Sequence, residues 1–363
     1  MTSKFRPAAA ALMLALSLCA LSACSSGPQV SGERDPQASG ERDPQASESS
    51  SRYVASMDTV ITLTAYGSAR EEALDLAEKE ILRLNDLLSI GEEGSEVSVI
   101  NRDGGGTLSD DVRALVEESL ALYESTDGAF DITVYPLMEL WGFTSGNYRV
   151  PSDSEIAKVL ETVDAGRLRY DPDTHFLTLG EGQTIDLGGI AKGYASARIM
   201  DIFREAGVTS GLVSLGGNVQ CLDAKPDGSA YRLGIRDPKG SSEEELALVI
   251  TARNKAVITS GGYERFFVDD ETGATYQHIM DPKTGRPAET DLASVTIVTE
   301  SGILGDGLST ALYIMGLDGA ADYWRAHSGE FEAVLITGDG RILVTEGLKD
   351  EVVSDTKYEV IKG

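Results

Sequence analysis

Phe331-Glu332-Ala333-Val334-Leu335-Ile336-Thr337-Gly338-Asp339-Gly340-Arg341-Ile342-Leu343-Val344-Thr345 reads as two short apolar runs, 331–337 and 341–345, parted by an Asp339-Gly340 turn. So short a link returns the chain antiparallel, because a parallel return needs a crossover of a dozen or more residues. The same pattern repeats outward. Strands are expected at 211–215, 231–236, 246–252, 263–268 and 293–298, with Asp237-Pro238 as another turn, and 53–66 reads as one strand carrying Val60, Leu63 and Ala65. Ser68 is the expected cap of a helix whose Leu74, Ala77, Ile81, Leu84 and Leu88 share a face, and 110–123 is a second amphipathic pattern. Ser152 and Glu155 form a capping box for a third helix, and 191–205 makes a fourth that stops at Gly207. The pattern predicts an α+β domain of mixed, largely antiparallel sheets with packed helices, spanning 52–363 without an internal boundary.

Ahead of that domain the composition changes. Lys4 and Arg6 precede an apolar run over 8–21 that ends in Leu21-Ser22-Ala23-Cys24, which predicts an export signal over 1–23 with Cys24 as the acylated first residue of a lipoprotein. The plainer alternative is an ordinary signal cleavage beside an incidental thiol. Residues 24–51 are rich in Ser, Gly, Pro, Gln and Glu and carry GERDPQAS twice, at 32–39 and 40–47, so they read as a disordered tether with a reach of roughly 25 to 30 Å. Lipidation of Cys24 and loss of Cys19 with the signal leave Cys221 alone, so no internal disulfide is expected. The 31 Lys plus Arg against 59 Asp plus Glu set a net charge of −28, which argues against a nucleic-acid groove. An anionic ligand must then be met by local cations or a metal.

Three segments carry candidate chemistry. In Asp186-Leu187-Gly188-Gly189-Ile190-Ala191-Lys192-Gly193-Tyr194, paired glycines open a helix, and their free N–H groups with Lys192 would cradle a phosphate; an ordinary tight turn is the competing reading. In Gly305-Asp306-Gly307-Leu308-Ser309-Thr310-Ala311, a helix beginning near Asp306 would place Asp306 and Thr310 on one face as oxygen ligands of a hard cation, with Ser309 beside them. Asp306 as a simple N-cap is the alternative there. In Tyr276-Gln277-His278-Ile279-Met280-Asp281-Pro282-Lys283-Thr284-Gly285-Arg286-Pro287, His278 stands near cations as a candidate base, although a lone histidine at a strand end is often structural. Three more segments pause apolar runs with glycine: 128–133, 215–218 and 259–265. Such loops gathered at one end of a sheet make a usual ligand site.

Taken in order, these motifs resemble the FAD:protein FMN transferase family, also called the ApbE or thiamine-biosynthesis lipoprotein family. The likeness runs from Met57-Asp58-Thr59 through 87–101, 126–143, DLGGIAKGY, LVSLGGNV, GIRDP, TSGGYERFF, HIMDPKTGRP and GDGLSTALYIMG. It implies an ApbE-like, T-fold-like domain that takes FAD and, with Mg2+, joins FMN to a Thr or Ser hydroxyl of an exported redox protein, releasing AMP. By position it implies Asp306, Thr310, Ser309 and the Gly189 carbonyl as metal ligands, and Asp186 and Lys192 as FAD contacts. Met57, the Ala129-Phe130-Asp131 loop and Met280 would line the flavin or adenine pocket, and His278 would accept the proton of the attacking hydroxyl. It also implies an acceptor with a (D/S)xx(S/T)GAT-like motif and a home on the extracytoplasmic face of a bacterial membrane. Two other activities use the same parts: an FAD pyrophosphatase and a non-catalytic flavin-binding lipoprotein. At Gly91, where many relatives carry an aromatic residue, this chain offers no ring, and Asp269-Asp270-Glu271-Thr272-Gly273-Ala274-Thr275 itself resembles the acceptor pattern, with Thr275 as a candidate for self-modification or an incidental hairpin match.

Overall fold

The computed structural model describes residues 45–242 and 244–363. The signal segment, Cys24 and most of the tether lie outside the described residues. A nine-stranded sheet carries the fold, in the spatial order Ser49–Ser56, Thr59–Tyr66, Gly211–Leu215, Asn218–Leu222, Ala256–Gly261, Leu292–Thr299, Glu332–Thr337, Ile342–Thr345 and Glu359–Ile361. Every neighbouring pair is antiparallel except the last, which is parallel. The expected α+β class is therefore the observed one, and the Asp339-Gly340 turn joins two antiparallel strands as read.

Both faces of the central strands are covered, which explains their near-continuous apolar runs. Alternate residues Val295, Ile297, Ala333 and Leu335 join the main core beneath the helices Arg70–Leu88, Ala191–Glu205 and Gly302–Ala326. Their neighbours Val257, Val298, Val334 and Ile336 face a second core, with Tyr231, Leu233 and Ile250 of a separate antiparallel hairpin, Tyr231–Arg236 with Leu246–Ala252. A third, smaller cluster gathers Leu137, Trp141, Phe143, Ile156, Val163 and Met280.

Five local expectations are corrected. The single strand expected at 53–66 is a hairpin, because Met57 and Asp58 both take left-handed backbone (φ 51° and 58°) and reverse the chain as a two-residue turn. Its first strand begins at Ser49 and so takes in residues assigned to the tether. The first helix starts at Arg70 with Ala69 at the cap position and no side-chain cap bond, rather than being capped by Ser68. The strand expected at 263–268 shortens to Phe266–Val268, in a two-stranded sheet with Thr275–Gln277. The connection after Asp237-Pro238 runs over 237–245 before pairing resumes. The capping box at Ser152 and Glu155 and the helix Ala191–Glu205, with Gly207 at φ 85°, are as read.

Candidate active site

The helix Gly302–Ala326 begins earlier than the sequence indicates. Ser301 is its N-cap, accepting from Leu304 N at 3.3 Å, so Asp306 lies a turn inside and is not a cap. That position turns the Asp306 carboxylate onto the start of the Ala191–Glu205 helix, where Oδ2 accepts the Gly193 N–H at 2.7 Å. The two helices meet here backbone to backbone. A Cβ on Gly193 would stand 2.2 Å from the Gly302 carbonyl oxygen and 2.6 Å from Asp306 Cβ, so only glycine permits the approach. Ser196 locks the crossing, its Oγ lying 2.9 Å from Gly193 O and 2.8 Å from Gln220 Oε1.

Two helix N-termini and the Lys192 ammonium thus surround one buried carboxylate. These favour its charge, yet burial outweighs them and holds Asp306 above the ordinary carboxylate range. A cation would relieve that imbalance. Asp186 is raised for the same first reason, burial, while Lys192 and the Gly188 N–H, 2.9 Å from Oδ1, oppose the shift. Asp58, in the Met57-Asp58 turn, adds a like charge to Asp186. The Met57 N–H is itself tied to Asn85 Oδ1 at 3.2 Å.

The glycine turn and the Ala129-Phe130-Asp131 loop are one packed unit. The Asp186 N–H donates to Ile132 O at 2.8 Å, and a Cβ on Gly189 would meet the Phe130 ring at 3.4 Å. Asp131 serves inside this loop: its carboxylate accepts from Thr133 N (2.7 Å), Thr133 Oγ (2.6 Å) and Ala165 N (3.0 Å), so its oxygens brace the backbone.

Behind Asp306 runs a chain of hydroxyls. Ser309, wholly buried, donates to Asp306 O at 2.8 Å, and its Oγ is 2.8 Å from Ser260 Oγ, which is 3.4 Å from Thr310 Oγ1. Because the Ser309 proton is engaged on the carbonyl, Ser260 donates to Ser309. Ser309 therefore buttresses the site, and Thr310, half-buried, keeps the more accessible oxygen. Ser260 was not singled out as a site residue; only the glycine-marked segment around it was.

His278 is fastened to the first strand of the small hairpin: its backbone N–H and its Nδ1 lie 3.0 and 3.2 Å from Arg265 O. Since a carbonyl only accepts, Nδ1 carries the proton and Nε2 keeps the lone pair. Burial first, then the charges of Arg265 and Lys192, lowers its pKa to about 4, leaving a neutral imidazole at pH 7. Met280 is packed in the small cluster with Phe143, whose ring lies 6.5 Å from that of His278. Lys192 is the common element: its charge acts on Asp186, Asp306 and His278 alike, which brings the three segments into one electrostatic neighbourhood.

The donor set suits a hard cation. Among the described residues no three His, Cys, Asp or Glu side chains gather as a metal cluster, so a cation here relies on one carboxylate, a hydroxyl, a backbone carbonyl and oxygens brought by a ligand. The raised, desolvated Asp306 fits that role.

Comparison with known proteins identifies the family. The ApbE family model matches residues 57–335. An FAD:protein FMN transferase of Treponema pallidum is 31% identical over 309 residues, covering 80% of this chain and 83% of its own, and one of Klebsiella pneumoniae is 30% identical over 286 residues, covering 77% and 87%. Among solved structures, the ApbE protein of Thermotoga maritima superposes with a TM-score of 0.77 at 31% identity, covering 85% of this chain and all of its own. The apo flavinyl transferase ApbE of Pseudomonas stutzeri gives 0.74 at 28%, with coverage of 84% and 96%. With the family model spanning most of the folded domain and relatives at this identity over most of their length, the chain belongs to the ApbE family.

Proposed function

We propose that this protein is an FAD:protein FMN transferase that moves FMN from FAD to a threonine or serine hydroxyl of an exported redox protein, with magnesium, releasing AMP. The observation that carries the reading is the Gly193 N–H bonded to Asp306 Oδ2 at 2.7 Å, which joins the helix of the glycine turn to the candidate cation ligand in a protein of charge −28. Asp306, Thr310 and the Gly189 carbonyl would hold Mg2+, with Ser309 and Ser260 behind them; bound there, the ion supplies charge neutralisation at the diphosphate. Lys192 and the N–H groups of the glycine turn orient the phosphates. In the transfer the acceptor hydroxyl oxygen bonds to the FMN phosphorus, the bond to the AMP oxygen breaks, and His278 Nε2 takes the hydroxyl proton. We also propose anchoring through Cys24 on the extracytoplasmic face, on the strength of the Leu21-Ser22-Ala23-Cys24 segment.

The test is to incubate the protein with FAD, MgCl2 and a peptide bearing an acceptor threonine, and to measure AMP with and without peptide. Peptide-dependent AMP with FMN covalently on the peptide is the expected result. AMP without peptide modification makes the protein an FAD pyrophosphatase, and no AMP in either tube makes it a flavin binder.

A further inference from the structure

We propose that the side-chain amide of Asn218 belongs to the floor of the site, where it hydrogen-bonds a hydrated cation and the phosphate that the cation neutralises. This deepens, and rests on, the reading of the site as one for a divalent cation and a diphosphate. Asn218 is 1% exposed, and both its Oδ1 and its Nδ2 lack a hydrogen-bond partner among the described residues. No other buried side chain among them has two orphaned polar atoms. Burying a donor and an acceptor without partners costs free energy, so native proteins rarely do it unless a water or a ligand completes the set. The preceding turn does not demand asparagine here. Gly216 and Gly217 supply its left-handed backbone (φ 51° and 93°), whereas Asn218 has no positive φ and opens the strand Asn218–Leu222.

The strand register fixes where the amide lies. Asn218 stands opposite Leu215 on one side and Ile258 on the other, and such partners share a face of the sheet. Leu215 belongs to the main core, and a Cβ on Gly305 would stand 3.0 Å from Ile258 Cδ1, so this is the face beneath the helices. Two residues along the strand, Gln220 Oε1 lies 2.8 Å from Ser196 Oγ and 2.7 Å from a Cβ built on Gly302, under the crossing of the two helices. Two residues beyond Ile258, Ser260 Oγ lies 2.8 Å from Ser309 Oγ. Asn218 is thus set between these contacts, level with Gly305 and Asp306, below the seam where Asp306 accepts the Gly193 N–H. Gln220 and Ser260 are satisfied by the helices above them, and Asn218 is not. Its chemistry selects the ligand. A bare anion would answer only the amide N–H groups and a bare cation only the carbonyl, whereas a hydrated cation on a phosphate answers both, its waters donating to Oδ1 and a phosphate oxygen accepting from Nδ2. A neutral side chain also suits this place: a second carboxylate beside Asp306 would repel the phosphate, and an ammonium would repel the cation.

The experiment compares the full chain with Asn218→Leu and Asn218→Ser, by thermal melts and by quenching of FAD fluorescence in MgCl2. Without ligand, Asn218→Leu, close in shape and free of orphaned polar atoms, should melt no lower than the wild type. With MgCl2, both variants should bind FAD about tenfold or more weaker, the size of a lost hydrogen bond to a charged group. Labelling the wild type with 15N-asparagine gives five side-chain amides to follow, and the pair that disappears in either variant should shift when FAD and MgCl2 are added together and not with MgCl2 alone. An unshifted pair, or FAD binding unchanged in both variants, overturns the inference and leaves the transferase reading standing. An apo Asn218→Leu protein that melts several degrees lower shows the amide to be held by a structural water, and overturns it too. A shifted pair and weakened FAD binding, with no FMN reaching the acceptor peptide in the wild type, uphold Asn218 as a ligand contact and sink the transferase reading.

Discussion

Asp306→Asn separates the cost of the Asp306 charge from its use. The side chain is 6% exposed, and burial outweighs the pull of Lys192 and of the Gly193 and Lys192 N–H groups, so the folded apoprotein holds the ionised form at a disadvantage. A carboxyl whose pKa is higher folded than unfolded contributes stability below the unfolded value and loses it as pH rises through the folded one; at neutral pH the full penalty applies. Asparagine keeps an oxygen for the Gly193 N–H and removes the charge. Removing the charge removes that burial penalty, so the apoprotein should gain stability and melt at a higher temperature. With MgCl2 and FAD the sign reverses: the wild type should be stabilised by its ligands and the variant should not, and AMP release should fall on the order of 100-fold or more. Paired thermal melts, without ligand and with MgCl2 plus FAD, read both effects. A drop of several degrees in the apo variant would mean that Asp306 ties the two helix ends as a structural ion pair with Lys192, and the metal assignment would lose its physical basis. A ligand-induced rise preserved in the variant would refute it as well.

Gly193→Ala places a methyl 2.2 Å from the Gly302 carbonyl, so the helices must part; about 1–3 kcal/mol of stability should be lost, and magnesium-dependent AMP release should fall further than the melting temperature alone explains. In Gly91→Tyr the new Cβ meets only Ser89 Oγ, at 3.9 Å, so the backbone accepts the side chain; FAD should bind about 2- to 10-fold tighter by fluorescence quenching, and an unchanged Kd would remove the missing-ring account. Burial lowers the folded pKa of His278 to about 4 from the ordinary 6.5, so as pH falls through that window the unfolded chain takes the proton first and stability is lost; His278→Gln should flatten the melting temperature between pH 6.5 and 4. The same depression means the acidic limb of the rate profile from His278 should fall near pH 4 and not near 6.5.

Sequence alone determined the elements whose cause is local. The Ser152 and Glu155 capping box, the Gly207 helix stop and the Asp339-Gly340 hairpin each depend on chemistry within a few residues, and the ordered motifs were enough to point to the family. The Met57-Asp58 reversal was illegible because Met57, unlike Asp58, lies outside the usual turn set; its left-handed backbone is held by the strands on either side, not by its own preference. The site was legible as a set of residues and not as an arrangement. Asp131 looks from its motif like a pocket residue, yet its oxygens are taken by Thr133 and Ala165, the latter more than thirty positions away. Ser309 looks like a ligand, and its hydroxyl is also bonded to Asp306 O and Ser260. The decisive contact, Gly193 N–H to Asp306, joins residues 113 apart, and it exists because two glycines let two helix starts touch. Spacing along the chain carries no information about such a meeting; only the packing of both helices on one sheet brings the carboxylate onto the start of the helix that carries the lysine.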